Sequence, residues 1–267
     1  MRRMPWRRLG VAIGFGVCLF VFGGRALSRR FLFPARELPV LAAPRDLDVH
    51  TVLARDGAPV HLLELPAAEG ARTLVHFHNN RETVEACADL ARSLHKNGFG
   101  VLLVEYRGYG ASSGLDTTEE GLYLDAEAGL DMLAEHGIGP ERVVHSGISL
   151  GTGVAAEMAR RGRGSRLVLM TPYTSIPDIV TDTLPGAPAS LFCPDPFDTL
   201  SKTREIHVPT LVVHGDADEI VPFWMGERVA GAISGARFVR VRGGHHGDLF
   251  ARDSDEIFRA ILELTST

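Results

Sequence analysis

An α/β protein is predicted for this chain, with a mostly parallel central sheet and helices on both faces, on three observations. Short β-branched or leucine-rich runs alternate with segments of helical periodicity from Thr73 onward. Two alternating runs joined by Arg55-Asp56-Gly57 precede that series. Gly147-Ile148-Ser149-Leu150-Gly151 lies between a β-rich run, Arg142–Ser146, and a helix-like segment, Thr152–Arg161. Apolar strands alternating with amphipathic helices bury both sheet faces, and the G-x-S-x-G step lifts a serine out of a tight strand-to-helix turn.

The elements follow in order. Arg2, Arg3, Arg7 and Arg8 precede an uncharged run, Leu9–Gly24, which Arg25, Arg29 and Arg30 follow. Roughly sixteen residues at about 1.5 Å each give about 24 Å of helix, which snorkelling arginines can extend to a ~30 Å hydrocarbon core. Residues 1–30 are therefore expected to be a single-pass transmembrane anchor. A cleaved signal peptide, with Ala26-Leu27-Ser28 as the small-x-small site and a secreted product, is the alternative. The arginine-rich head resists translocation, so the body is expected on the non-cytoplasmic side. Residues 31–47 carry Pro34, Pro39 and Pro44 and read as a surface linker. The folded domain is expected over residues 48–267.

Val49–Leu53 and Val60–Leu65, joined by an Asp-Gly step, form the expected hairpin. Strands are then expected at Thr73–His78, Gly100–Glu105, Arg142–Gly147, Arg166–Met170, Thr210–His214 and Arg237–Val241. Helical periodicity marks Val84–Lys96, Glu119–His136, Gly226–Ile233 and Asp255–Leu264. Thr171 to Val208 is proline-rich and long enough only for a small cap.

Composition narrows the function. The 267 residues are 45% hydrophobic with a formal charge of −5, enough for one substantial core. The body has no basic stripe interleaved with aromatics, so nucleic acid is not an expected partner. Cys18 lies in the apolar run, and Cys87 and Cys193 are either a pair or two free thiols. His76 and His78 form an H-x-H pair, but Asn79-Asn80-Arg81 follow where further ligands would be needed. Neither a metal nor another cofactor is expected. Nothing in the chain reads out an oligomeric state.

A serine hydroxyl needs an adjacent base to take its proton, and that base needs an orienting group. His214-Gly215-Asp216-Ala217-Asp218 supplies two candidate acids, and Gly243-Gly244-His245-His246 two candidate bases. The Leu150 N–H, next after Ser149, points toward the space where an oxyanion would form. Asp248 is expected to cap the following helix, Arg107 to pair internally, and Ser112 and Ser113 to serve turns.

Several motifs together resemble the α/β-hydrolase fold, and within it the serine aminopeptidase-like (S33-type), BEM46/ABHD-like membrane-anchored serine hydrolases. They are Glu105-Tyr106-Arg107-Gly108-Tyr109-Gly110-Ala111-Ser112-Ser113-Gly114, Thr171-Pro172-Tyr173-Thr174-Ser175, His214 to Pro222, and Val241 to Asp248. The resemblance covers Asp48 to the C-terminus. It implies a Ser149–Asp218–His246 triad; Asp216 is expected either to bond to its turn or to brace the histidine loop. It also implies a second oxyanion donor from Asn79 or Asn80, in the loop where relatives carry H-G-N. Asn79 replaces that glycine, which places the backbone geometry of the loop in question, and Glu105 replaces the usual aspartate. The expected function is hydrolysis of carboxylic esters or thioesters of small acylated or lipid-like molecules. The alternatives are a peptidase of the serine aminopeptidase type, or a catalytically weak membrane-bound binding protein with a relic triad.

Overall fold

The computed structural model describes residues 23–35, 38, 39 and 41–266. The apolar run read as an anchor lies almost wholly outside the described residues. Among those described, no helix is long and apolar enough to cross a membrane. Residues 23–32 are helical and are called α1.

The hairpin forms as expected. β1 (Asp48–Leu53) pairs antiparallel with β2 (Pro59–Leu65), with Leu53 opposite Pro59 and the turn closed by Ala54 N–H on the Ala58 carbonyl at 2.9 Å. Six strands follow: β3 (Thr73–Phe77), β4 (Gly100–Val104), β5 (Val143–Ile148), β6 (Arg166–Met170), β7 (Thr210–Gly215) and β8 (Arg237–Val241). The sheet order is β1-β2-β4-β3-β5-β6-β7-β8. β2 meets β4 antiparallel, and every pairing from β4 to β8 is parallel. β3, β4 and β7 are buried along their whole length, as expected of strands covered on both faces.

Helices α3 (Glu119–Glu135), α4 (Leu150–Arg160) and α8 (Phe223–Ala232) pack on one face, and α2 (Ala88–Lys96) and α9 (Leu249–Thr265) on the other. Helix starts differ from expectation at four places: α4 begins two residues early and α8 three, and the larger differences are at α2 and α9. α2 starts later because Thr83–Cys87 is taken up by successive turns, with Val84 N–H donating to the Glu105 carboxylate at 3.3 Å. α9 starts earlier, running through a kink at Asp253 (φ −148°, ψ 52°) that interrupts the periodicity. The proline-rich stretch after β6 forms α5 (Ile176–Thr183), α6 (Ala189–Phe192) and α7 (Thr199–Lys202), a small cap.

The segment expected to lie on the surface as a linker instead sends Phe33 and Ala35 into the buried cluster that includes residues of α3 and α4, with Phe33 edge-on to Phe197. Those two side chains are local hydrophobes in a proline-rich context, so composition alone masks their burial. Cys87 and Cys193 are both buried and free. Arg107 pairs internally as expected, with Asp125 at 2.8 Å and Asp56 at 2.6 Å.

Candidate active site

β5 ends at Ile148 and α4 begins at Leu150, leaving Ser149 alone at the turn with φ 51° and ψ −118°. A positive φ is costly for a residue with a Cβ and persists only where the surroundings over-determine it. Here they do. A Cβ on Gly147 would lie 2.2 Å from the Gly151 carbonyl oxygen, and one on Gly151 only 2.0 Å from that of Phe77. Only glycines let the turn close this tightly. Ser149 N–H donates to the Met170 carbonyl at 3.0 Å, and Thr152 N–H and Oγ1 both donate to the Ser149 carbonyl, at 2.9 and 2.6 Å. The Leu150 N–H, first in α4, has no intrahelical acceptor.

Two loops beyond β7 and β8 reach back to this serine. His246 Nε2 lies 2.9 Å from Ser149 Oγ, and His246 Nδ1 lies 2.9 Å from Asp218 Oδ2 and 3.1 Å from Oδ1. The Asp218 side chain is fully buried and also accepts from the N–H groups of Ile220 and Val221, at 2.9 and 2.8 Å. Burial alone would raise its pKa. Contacts with His214 and His246 and the Val221 N–H outweigh burial and hold the carboxyl well below its usual range. It is therefore an anion at neutral pH and keeps the proton of a neutral His246 on Nδ1, leaving Nε2 to accept from Ser149.

The neighbouring candidates do other work. Asp216 accepts from Gly243 N–H at 2.6 Å and Arg240 Nε at 2.7 Å, which ties the histidine loop to β8. His245 is exposed and faces Glu219 at 3.0 Å. Asp248 stands at the N-cap of α9, but its side chain does not cap. It accepts instead from His245 N–H at 2.6 Å and Arg252 Nε at 2.5 Å.

The loop after β3 carries the departure from glycine. Asn79 does not require it: the left-handed non-glycine residues described are Ser149, Thr171 and Phe197. Asn79 Oδ1 accepts from Arg81 N–H at 2.7 Å, a local turn that suits asparagine. Glu105 is more than a neutral replacement. Its buried carboxylate lies 2.9 Å from His78 Nε2, while Tyr106 and Tyr109 donate to the carbonyls of His78 and Asn80 at 3.0 and 3.2 Å. His76 sits apart, buried against Ser146 Oγ at 3.2 Å, and burial, aided by His78, lowers its pKa to about 3.

Ser149, Leu150 and Asn80 open on one cavity of about 590 Å³, whose other walls are almost wholly apolar; Asn79 is not among its lining residues. Three contributors escaped the sequence. Tyr173 lines the cavity and donates to the Leu150 carbonyl at 3.1 Å. His214 places Nε2 3.4 Å from Asp218 Oδ2 and 3.0 Å from the Val221 carbonyl. α1, read only as part of an anchor, supplies a wall. The P-Y-T-S segment and the H-G-x-x-D block were the available signals for the first two. For α1 there was none.

Comparison with known proteins agrees with this architecture. The family model for serine aminopeptidase, S33, matches residues 68–192. The uncharacterized protein Rv2307c of Mycobacterium tuberculosis (strain ATCC 25618 / H37Rv) is 32% identical over 276 residues, covering 100% of this chain and 96% of that one. Protein bem46 of Schizosaccharomyces pombe is 33% identical over 168 residues, 60% of this chain and 56% of its own. The solved Pyrococcus furiosus esterase Pf2001 superposes with a TM-score of 0.71 at 17% identity, covering 86% of this chain and 98% of that one, a likeness of fold. With a serine on a strained strand-to-helix turn, this strand order and a match to the serine aminopeptidase model over residues 68–192, the chain is an α/β-hydrolase of S33-like classification.

Proposed function

We propose that this enzyme cleaves carboxylic ester or thioester bonds of acylated, lipid-like molecules through an acyl-enzyme. The observation that carries the reading is the continuous relay Asp218–His246–Ser149, at 2.9 Å for each step, opening on an apolar cavity. Ser149 Oγ attacks the acyl carbon as His246 Nε2 takes its proton. The imidazolium, stabilised by Asp218, then protonates the leaving oxygen or sulfur. A water molecule, deprotonated by the same nitrogen, attacks the acyl-enzyme and returns Ser149 to its starting state. The developing oxyanion is held by the N–H of Leu150 and that of Asn80, which lines the cavity beside it.

The apolar lining favours acyl chains over peptides. No carboxylate lines the cavity among the described residues, so a free amino terminus would have no counter-charge there. In this reading the N-terminal segment, expected over residues 1–30, anchors the chain in the membrane ahead of the docked helix α1, with the enzyme on the non-cytoplasmic side.

Labelling by a fluorophosphonate probe tests the mechanism. The purified chain is expected to label at Ser149 and Ser149→Ala not to label. A folded native chain that does not react would overturn the proposal. Among substrates, longer acyl esters are expected to turn over faster than aminoacyl-anilides, and the reverse order would move the peptidase reading to first place.

A further inference from the structure

The wall of the cavity formed by α1 is docked, not loosely placed. A Cβ on Gly24 would lie 2.3 Å from the Phe192 ring, so helix and cap meet at closest approach. Arg29 forms a two-pronged pair with the buried Asp195 carboxylate at 2.6 and 3.2 Å, and Arg25 Nε donates to the Leu191 carbonyl at 3.3 Å. From the other side, Asn80 Nδ2 donates to the Leu32 carbonyl at 3.0 Å.

Docking in this way leaves an unusual rim. Leu27, Phe31, Leu184 and Ile220 all line the cavity, yet they are among the most exposed large apolar side chains described; Phe31 is 73% exposed and Leu184 61%. Exposed Leu191 sits next to Phe192 on α6. Exposed Trp224 reaches from α8 to α5, where its Nε1 donates to Asp182 at 3.3 Å. Single exposed apolar residues mean little, but a cluster around one opening marks a surface that meets something apolar.

Charge identifies what it meets. A hollow of about 340 Å³ shares Leu27 and Phe31 with the cavity rim and is completed by Arg30, Pro34 and Arg81. Arg30 and Arg81 are exposed there, and Arg25 is exposed farther along α1 beside α6, on a chain whose formal net charge is −5. In sequence, α1 begins at the end of the uncharged run Leu9–Gly24, sharing Gly23 and Gly24 with it. Arginines flank the apolar side chains on the α1 side, next to the apolar segment, while Asp182 and Glu219 lie on the α5 and Ile220 side, so the α1 side is the one that matches anionic headgroups of a bilayer.

We propose that the rim formed by α1, α5, α6 and the Ile220–Trp224 segment seats on an anionic bilayer. Leu27, Phe31, Leu184, Leu191, Ile220 and Trp224 enter the acyl region while Arg25, Arg30 and Arg81 hold headgroup phosphates. The cavity then opens into the membrane between α1 and α5, and an acyl chain passes from bilayer to Ser149 without crossing water. The substrate part of this inference rests on the acyl-hydrolase reading, whereas the seat itself does not.

The test uses the full chain with Trp6→Phe, which leaves Trp224 as the one tryptophan. In vesicles of brominated phosphatidylglycerol, Trp224 fluorescence is expected to fall by at least about half, and much less in brominated phosphatidylcholine. Arg30→Ser/Arg81→Ser is expected to weaken the quenching. A domain that is merely tethered by its N-terminus keeps Trp224 in water, so absence of quenching overturns the seat. Equal quenching in both lipids overturns its anionic character. Leu191→Glu/Trp224→Glu, at positions outside the cavity lining, is expected to lower turnover of a long-chain ester embedded in phosphatidylglycerol vesicles about tenfold. Turnover of a short soluble ester by the same variant is expected to be unchanged. An equal loss on both substrates overturns the proposal, and so does a variant that only dissociates a dimer, which would make the face a contact between copies. Quenching is read without turnover, so failure of the hydrolase reading appears separately as absence of fluorophosphonate labelling.

Discussion

Asp218→Asn separates the orienting role of this carboxylate from its structural one, because its two oxygens do different work. Oδ1 accepts from the N–H groups of Ile220 and Val221 at 2.9 and 2.8 Å, and an asparagine carbonyl oxygen can keep both. Oδ2 is the oxygen nearer His246 Nδ1, at 2.9 Å, and it also faces His214 Nε2 at 3.4 Å. In the variant an NH₂ group occupies that place. It donates to His246 Nδ1, so the ring proton moves to Nε2, and Ser149 Oγ then meets a donor where it needs an acceptor. The loop stays anchored, and stability is expected to fall by only about 1–2 kcal/mol, the worth of a charge-assisted bond made neutral. The rate is expected to fall by roughly 10⁴, or about 5 kcal/mol of transition-state stabilisation. The assay is kcat on a soluble chromogenic ester, with urea unfolding of the same sample. Retention of more than about a tenth of native kcat would refute the assignment of Asp218 as the group that sets the His246 tautomer. Unfolding of the variant would refute the division of labour between Oδ1 and Oδ2.

Four further outcomes are expected. His245→Ala should leave ester turnover within about twofold, since its ring faces exposed Glu219, whereas His246→Ala should lose it by about 10⁶, the cost of a missing triad base; parallel kinetics decide. Gly151→Ala places a methyl 2.0 Å from the Phe77 carbonyl oxygen and should cost about 3 kcal/mol or more in chemical denaturation, with loss of fluorophosphonate labelling. Asn79→Gly restores the residue usual in relatives but removes the bond to Arg81 N–H, so it should destabilise by about 0.5–1 kcal/mol without raising kcat. Stability should decline in acid: the folded-state pKa values of Asp218 and Glu157 are depressed, Glu157 to about 2, where contacts with Arg160, Arg161 and Lys202 outweigh burial. Such groups stabilise fully above the ordinary carboxyl range near pH 4, and the contribution is lost as pH falls below it toward their folded values. Melting temperatures between about pH 5 and pH 2 should fall, less steeply for Glu157→Gln.

The local physics of the chain determined a great deal by itself. Alternation, β-branching and the Asp-Gly turn specify the hairpin and the six strands to within a residue or so, because side-chain period and turn chemistry act over a few neighbours. The G-x-S-x-G step specifies its own turn, since Gly147 and Gly151 are required by backbone approaching within a few residues or from the adjacent strand. Choices between near neighbours were of another kind. His245 and His246 share one local context; the motif resemblance chose His246, and the structure turns that ring toward a serine 97 residues away, a placement that no local pattern encodes. Likewise Asp216 and Asp218 both follow β7, yet only Asp218 faces His246, while Asp216 faces β8. Asn79 looked like a strained substitute for glycine, but the loop does not use a left-handed backbone there, and its neighbours His78 and Asn80 are held by Glu105, Tyr106 and Tyr109 from a distant part of the sequence. The docking of α1 was the least legible feature. Its arginines and apolar residues read as membrane-directed composition, and the Arg29–Asp195 pair spans 166 positions. Contacts at that separation carry no local periodicity, and only the closed tertiary structure brings them together.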